Sequence, residues 1–164
     1  AELRPGIYII KDGPLKVDRG GSLMGENVGF YLTGDTSKLY FNTQSTVDLT
    51  APKTGIMAGL LFFSNPKNAT MTRTFGAKVL VRGHVIRSDD ARRLVGTVYL
   101  PDDKLVIDGN SPVADKSEYT VIIAKAFQLN NGPNLVLQTD YAASDIPVPD
   151  GVGPMNESSV RLLH

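Results

Sequence analysis

Residues 29–49, GFYLTGDTSKLYFNTQSTVDL, hold three short apolar runs parted by turn-forming residues. Gly29-Phe30-Tyr31-Leu32 comes first, Leu39-Tyr40-Phe41 second, and a third starts at Val47. Short aromatic and β-branched runs bounded by Gly, Asn, Asp and Ser read as strands. Between the first two, Thr33-Gly34-Asp35 supplies residues that tolerate positive φ at a corner. The triplet recurs along the chain. First runs open at Gly6, Gly29, Gly59 and Gly96, and a fifth, without the glycine, at Tyr119. Second runs are Leu15-Lys16-Val17, Leu39-Tyr40-Phe41, Val79-Leu80-Val81, Leu105-Val106-Ile107 and Phe127-Gln128-Leu129. Third runs begin at Leu23, Val47, Val85, Val113 and Leu135. From each glycine the second run starts 9, 10, 20 and 9 residues on, and the third follows the second by 8, 8, 6, 8 and 8. The outlying 20 marks an insertion near residues 64–75.

Three strands in a unit whose first two copies are 23 residues apart suit a solenoid coil with three faces. We therefore expect an all-β chain folded as a right-handed parallel β-helix. It would have about five coils of three short strands and stand roughly 24 Å tall at about 4.8 Å per coil. Alternation along each strand turns Leu15, Val17, Leu39, Phe41, Leu105, Ile107, Phe127 and Leu129 inward. Lys16, Tyr40, Val106 and Gln128 then face outward. Tyr8, Tyr31 and Tyr99 occupy nearby places on first strands, as a core ladder or an outer platform depending on a one-residue register. An antiparallel sandwich also has short strands at this spacing, but the fixed triplet favours the β-helix. The β-helix domain is read as residues 1–143, with insertions at 65–75 and 88–95. Residues 144–164, with Pro147, Pro149 and Pro154, read as a tail or end-cover of the same domain.

The 164 residues fit one domain, and 41% apolar residues suffice for a core. Seventeen basic residues balance seventeen acidic ones, which argues against nucleic acid and against a polybasic membrane patch. With no cysteine and two distant histidines, His84 and His164, no metal and no cofactor are expected. No apolar run reaches the length of a membrane span. The start at Ala1 leads us to expect a leader, anchor or neighbouring domain outside this chain.

Asp89-Asp90 with Arg92-Arg93 is the one dense charged cluster, and it falls on the second insertion. Paired carboxylates suit a cation or a sugar, and arginines grip a uronate or phosphate bidentately. These four are the candidate binding residues, against the plainer alternative of a solvated loop with weak ion pairs. Asp102-Asp103-Lys104 reads as an ordinary turn, and His84 as a satisfied or exposed strand residue. No catalytic residue is assigned.

Leu3-Arg4-Pro5-Gly6-Ile7-Tyr8, Gly20-Gly21-Ser22-Leu23-Met24-Gly25, Val28 to Gly34, Val47 to Pro52, Ala58 to Phe63, Gly96 to Pro101 and Ala124 to Leu129 carry a family likeness. Over about residues 3–140 the chain resembles the C-terminal β-helical region of TadG-like (TadE/TadG family) Flp/Tad pilus-assembly proteins of bacteria. The resemblance implies a non-enzymatic structural or protein-binding module of the cell envelope, concerned with pilus assembly and adhesion. It also implies an extracytoplasmic location, attachment to the inner membrane through an anchor outside this chain, and envelope or pilus proteins as partners. The alternative, suggested by the fold, is a carbohydrate-active β-helix that binds or cleaves an acidic polysaccharide. A third is self-assembly, coil on coil, through an uncovered end.

Overall fold

The computed structural model describes residues 1–66, 73–75, 78–80 and 83–152. After a short β1 (Glu2–Leu3), the first coil is β2 (Gly6–Lys11), β3 (Pro14–Val17) and β4 (Ser22–Gly25). The second is β5 (Val28–Thr33), β6 (Lys38–Phe41) and β7 (Thr46–Thr50). The third opens with β8 (Leu60–Ser64), carries the inserted β9 (Arg73–Phe75) and β10 (Lys78–Leu80), and resumes at β11 (Gly83–Ile86). The long β12 (Asp90–Asp108) turns two corners: it ends the third coil and begins the fourth, which β13 (Pro112–Val113) completes. The fifth is β14 (Thr120–Asn130), bent over two faces, and β15 (Asn134–Leu135).

All named pairings between coils are parallel, as a β-helix requires; among the described strands β9 and β10 alone pair antiparallel, as an inserted hairpin. Partners lie 22 residues apart at Tyr8 and Phe30 and 24 apart at Leu15 and Leu39, so the regular coils match the expected period. On the first face, Tyr8, Phe30 and Phe62 stack inward with ring centroids 5.6 and 5.2 Å apart. On the second face, Leu39, Phe41, Leu105 and Ile107 are buried as expected. Stacking rows of identical polarity keeps the interior dry, because each inward side chain is covered by its counterpart above and below.

The third coil departs from the expected assignment in three ways. Val79 and Leu80 belong to the hairpin rather than to the second face, which is formed by β11 with Val85 in it. Residues 88–95 are not an insertion: Asp90 to Val95 pair with β7 as the third face. A loop at residues 51–59, unforeseen, is inserted before β8. The physical reasons are local. β11 places His84, fully buried, on a core row where an apolar residue is the usual signal. In β12 a register shift between Asp90 and Arg93 sets the inward Ala91 and Leu94 three residues apart, which hides the two-residue alternation.

In the last coil, Phe127 and Leu129 continue the rows of Leu105 and Ile107 in register, as expected, yet they are 44% and 50% exposed. No described coil lies beyond them. After β15 the chain bridges antiparallel from Thr139 to Tyr119 and makes a 3₁₀ turn at Tyr141–Ala143. Residues 144–152 then run along the corner between the third and first faces. There Ile146 is buried, Asp145 pairs with Lys53 at 2.5 Å, and the Tyr119 hydroxyl donates to the Pro147 carbonyl at 2.7 Å. This stretch is a strap down the side of the stack.

Candidate functional site

The four residues singled out in the sequence do not converge on one ligand. Asp89 lies at a corner, where its carboxylate accepts the Gln44 N–H at 2.6 Å and holds that left-handed residue of the coil below. Asp90 is exposed at the start of β12. Arg92 donates from Nε to both carboxylate oxygens of Asp115, at 2.9 and 3.1 Å, one coil further on. That pairing holds the Asp115 carboxyl below its ordinary range and raises the Arg92 guanidinium, hydrogen bonding being the larger cause in each. Arg93 points to Asp48 at 3.1 Å, with Glu118 and Glu26 at 3.9 and 4.0 Å. Both arginines thus stitch neighbouring coils together. A uronate or phosphate would have to displace these carboxylates first.

A polar cluster that the sequence reading missed lies inside the coil. Asp103, read as a turn residue, is 1% exposed; its Oδ2 accepts from Ser64 Oγ at 2.6 Å and from His84 Nε2 at 3.0 Å. The Leu39 N–H donates to His84 Nδ1 at 3.1 Å, so the imidazole carries its proton on Nε2. His84 is a satisfied strand residue, and the cluster joins three coils with its Ser64, His84 and Asp103 side chains buried. Its burial suits structure rather than turnover, since substrate must reach a catalytic group.

The outer surface of the first face is different. Tyr31, Phe63 and Tyr99 stack outward, with centroids 5.8 and 5.3 Å apart, while Tyr8 lies inside with Phe30. The tyrosines are therefore divided between core ladder and outer platform. The glycines do not mark register: Gly6 aligns with Val28, and Ile7 with Gly29. Ile9 precedes Tyr31 in the outer row and is 67% exposed.

Loop 51–59 leans over the same surface. Met57 is buried against Gly29, where a Cβ would meet its terminal methyl at 3.2 Å. Ile56 at the loop tip is 89% exposed. Between loop and sheet runs an open groove of about 390 Å³ whose walls are Ile7, Ile9, Tyr31, Ile56, Leu60 and Phe63, floored in part by Met57. Apolar side chains kept in water at this density mark a contact surface more often than an accident of folding. The signal was present in the sequence as the runs Ile7 to Ile10 and Gly59 to Phe63, but which residues faced outward depended on the register.

No family model, curated protein or solved structure matches this chain.

Proposed function

We propose that this β-helix is a non-enzymatic structural and protein-binding module of an extracytoplasmic cell-envelope protein, linked to Flp/Tad pilus assembly and adhesion. Its partner is received in the groove on the outside of the first face. The observation that carries the binding role is that apolar groove, with Ile9 and Ile56 projecting into water on either side of it. A rigid stack holds these side chains in place, so a partner meets a preformed surface and little ordering entropy opposes binding. The chemistry favours an extended segment with apolar side chains, because the walls offer almost no polar group to orient a charged one.

The test is selection of short peptides from a random library on the immobilised chain. Enriched sequences should be apolar at alternate positions, and their binding should fall by about tenfold or more in the Ile9→Asp and Ile56→Asp chains, since burying an unpaired charge costs more than about 1.4 kcal/mol. Peptides that bind those variants equally well would remove the groove from consideration. A second reading, a sugar-binding β-helix, draws on the outward stack Tyr31, Phe63 and Tyr99, since ring faces receive pyranose rings. Glycan-array binding lost in Tyr99→Ala but kept in Ile56→Asp would favour it.

A further inference from the structure

We propose that the groove's partner is seated as an added β-strand, hydrogen-bonded through its main chain to the open edge of β2. The inference rests on the reading of the groove as a docking site and adds how an occupant is held there. β2 pairs with β5 on one side, and among the described strands none pairs with its other side. In a parallel pair the N–H and C=O of one residue point to the same neighbour, and those of the next residue point away. The Gly6 and Asp12 N–H groups donate to the Asn27 and Thr33 carbonyls at 3.0 and 3.1 Å, so the even-numbered residues of β2 serve the second coil. Ile7, Ile9 and Lys11 therefore turn their main-chain groups to the open side.

Side chains of these residues also border the groove. Ile7 and Ile9, 47% and 67% exposed, are two of its walls, so one strand laid along β2 gains main-chain bonds and apolar contact together. Its outward side chains would extend the row Ile9, Tyr31, Phe63 and Tyr99. Its inward ones would cover Tyr8 and Ile10, which pack against the core and are half-buried. The vacant level is one strand deep. β1 already stands there on the third face, paired in parallel with β4, so the end of the stack forms a step that a single strand fills. A whole end coil of a second copy would meet β1 first. The adjoining edge, by contrast, is guarded. The Gly13 and Val17 carbonyls accept from Lys38 and Asn42, which leaves Pro14 and Lys16 on the open side of β3. Pro14 has no N–H to give and Lys16 carries a charge, both devices that keep an edge from pairing. Between Gly6 and Ile10, β2 has neither.

The experiment follows amide hydrogen exchange of the full chain by NMR, with a lysine-flanked strand peptide of alternating valine and threonine as the probe. In the free chain the amides of Ile7, Ile9 and Lys11 should exchange at least about a hundredfold faster than those of Tyr8 and Ile10, which β5 holds. Saturating peptide should slow Ile7, Ile9 and Lys11 by about tenfold or more, whereas the same peptide N-methylated at every residue should not. Slow exchange at these residues in the free chain would mean that the edge is already taken. Slowing with chain concentration alone would give the edge to a second copy. Either result overturns the proposal, as does a probe that fails to bind at millimolar concentration. Binding that weakens in the Ile56→Asp chain yet leaves the three amides fast would overturn the added strand and keep the groove as a docking site. Slowed amides with undiminished affinity in Ile56→Asp would keep the strand and sink the groove reading instead.

Discussion

His84 is a polar residue on an apolar row, and its neighbours explain why the coil tolerates it. The imidazole takes the Leu39 N–H on one nitrogen and gives its proton to Asp103 on the other. His84→Leu keeps the volume but strips Leu39 N–H of its acceptor and Asp103 of one donor. Each buried group so deprived costs about 1–3 kcal/mol. Urea denaturation should show a loss of about 2–5 kcal/mol with no change of fold by circular dichroism. Tyr119 is a second residue whose surroundings are measurable. Burial pushes its phenol up to about 12, and it donates to Pro147. The folded chain therefore keeps this proton between about pH 10 and 12 while the unfolded chain loses it, so stability falls as pH rises through that window. In the folded protein one tyrosine should ionise about two pH units late by absorbance, and Tyr119→Phe should abolish that late step.

Among the elements, loop 51–59 and the strap form one unit, joined at Gly59. With φ +75° and the Pro147 carbonyl where a Cβ would stand, this position admits only glycine without displacement. Gly59→Ala should lower stability by at least about 1 kcal/mol, from left-handed strain and loss of the close approach. It should also make residues 144–152 more open to limited proteolysis, whereas Gly55→Ala, at a site with open space, should leave the strap protected. The element scale also shows where legibility stopped. Strands in the first, second, fourth and fifth coils were readable because inward residues alternate without interruption, as in Leu15-Lys16-Val17 and Leu105-Val106-Ile107. The third coil was misassigned because a buried histidine and a bulged strand removed that alternation. Val79-Leu80-Val81 is the more apolar run and drew the second face to itself, although the face lies at Gly83–Ile86. The charged cluster drew attention for a related reason. Side chains on the third face of adjacent coils are distant in sequence, so nothing in Arg92 or Arg93 announces Asp115 or Asp48 as its partner.

For the whole molecule, stability is nearly one-dimensional, because each coil touches only its neighbours. A charge placed inside a central coil removes the support of coils on both sides, whereas one placed on the last coil frays an end. Ile107, 1% exposed, and Leu129, 50% exposed, sit on the same row one coil apart. Ile107→Asp should lose the strand signal in circular dichroism at room temperature, while Leu129→Asp should cost under about 1 kcal/mol. Comparable losses in both would mean that the last coil is as well covered as the fourth.

The amino-acid order alone determined the parallel coil and its period, since short inward runs at a constant spacing bury their apolar side chains only by winding around one interior. Tertiary structure alone decided which tyrosines meet water, which carboxylate answers each arginine, and that loop 51–59 leans over the first face to wall a groove. Those outcomes depend on a one-residue register and on contacts between coils. Both are set by packing across the stack, among residues that the chain holds far apart.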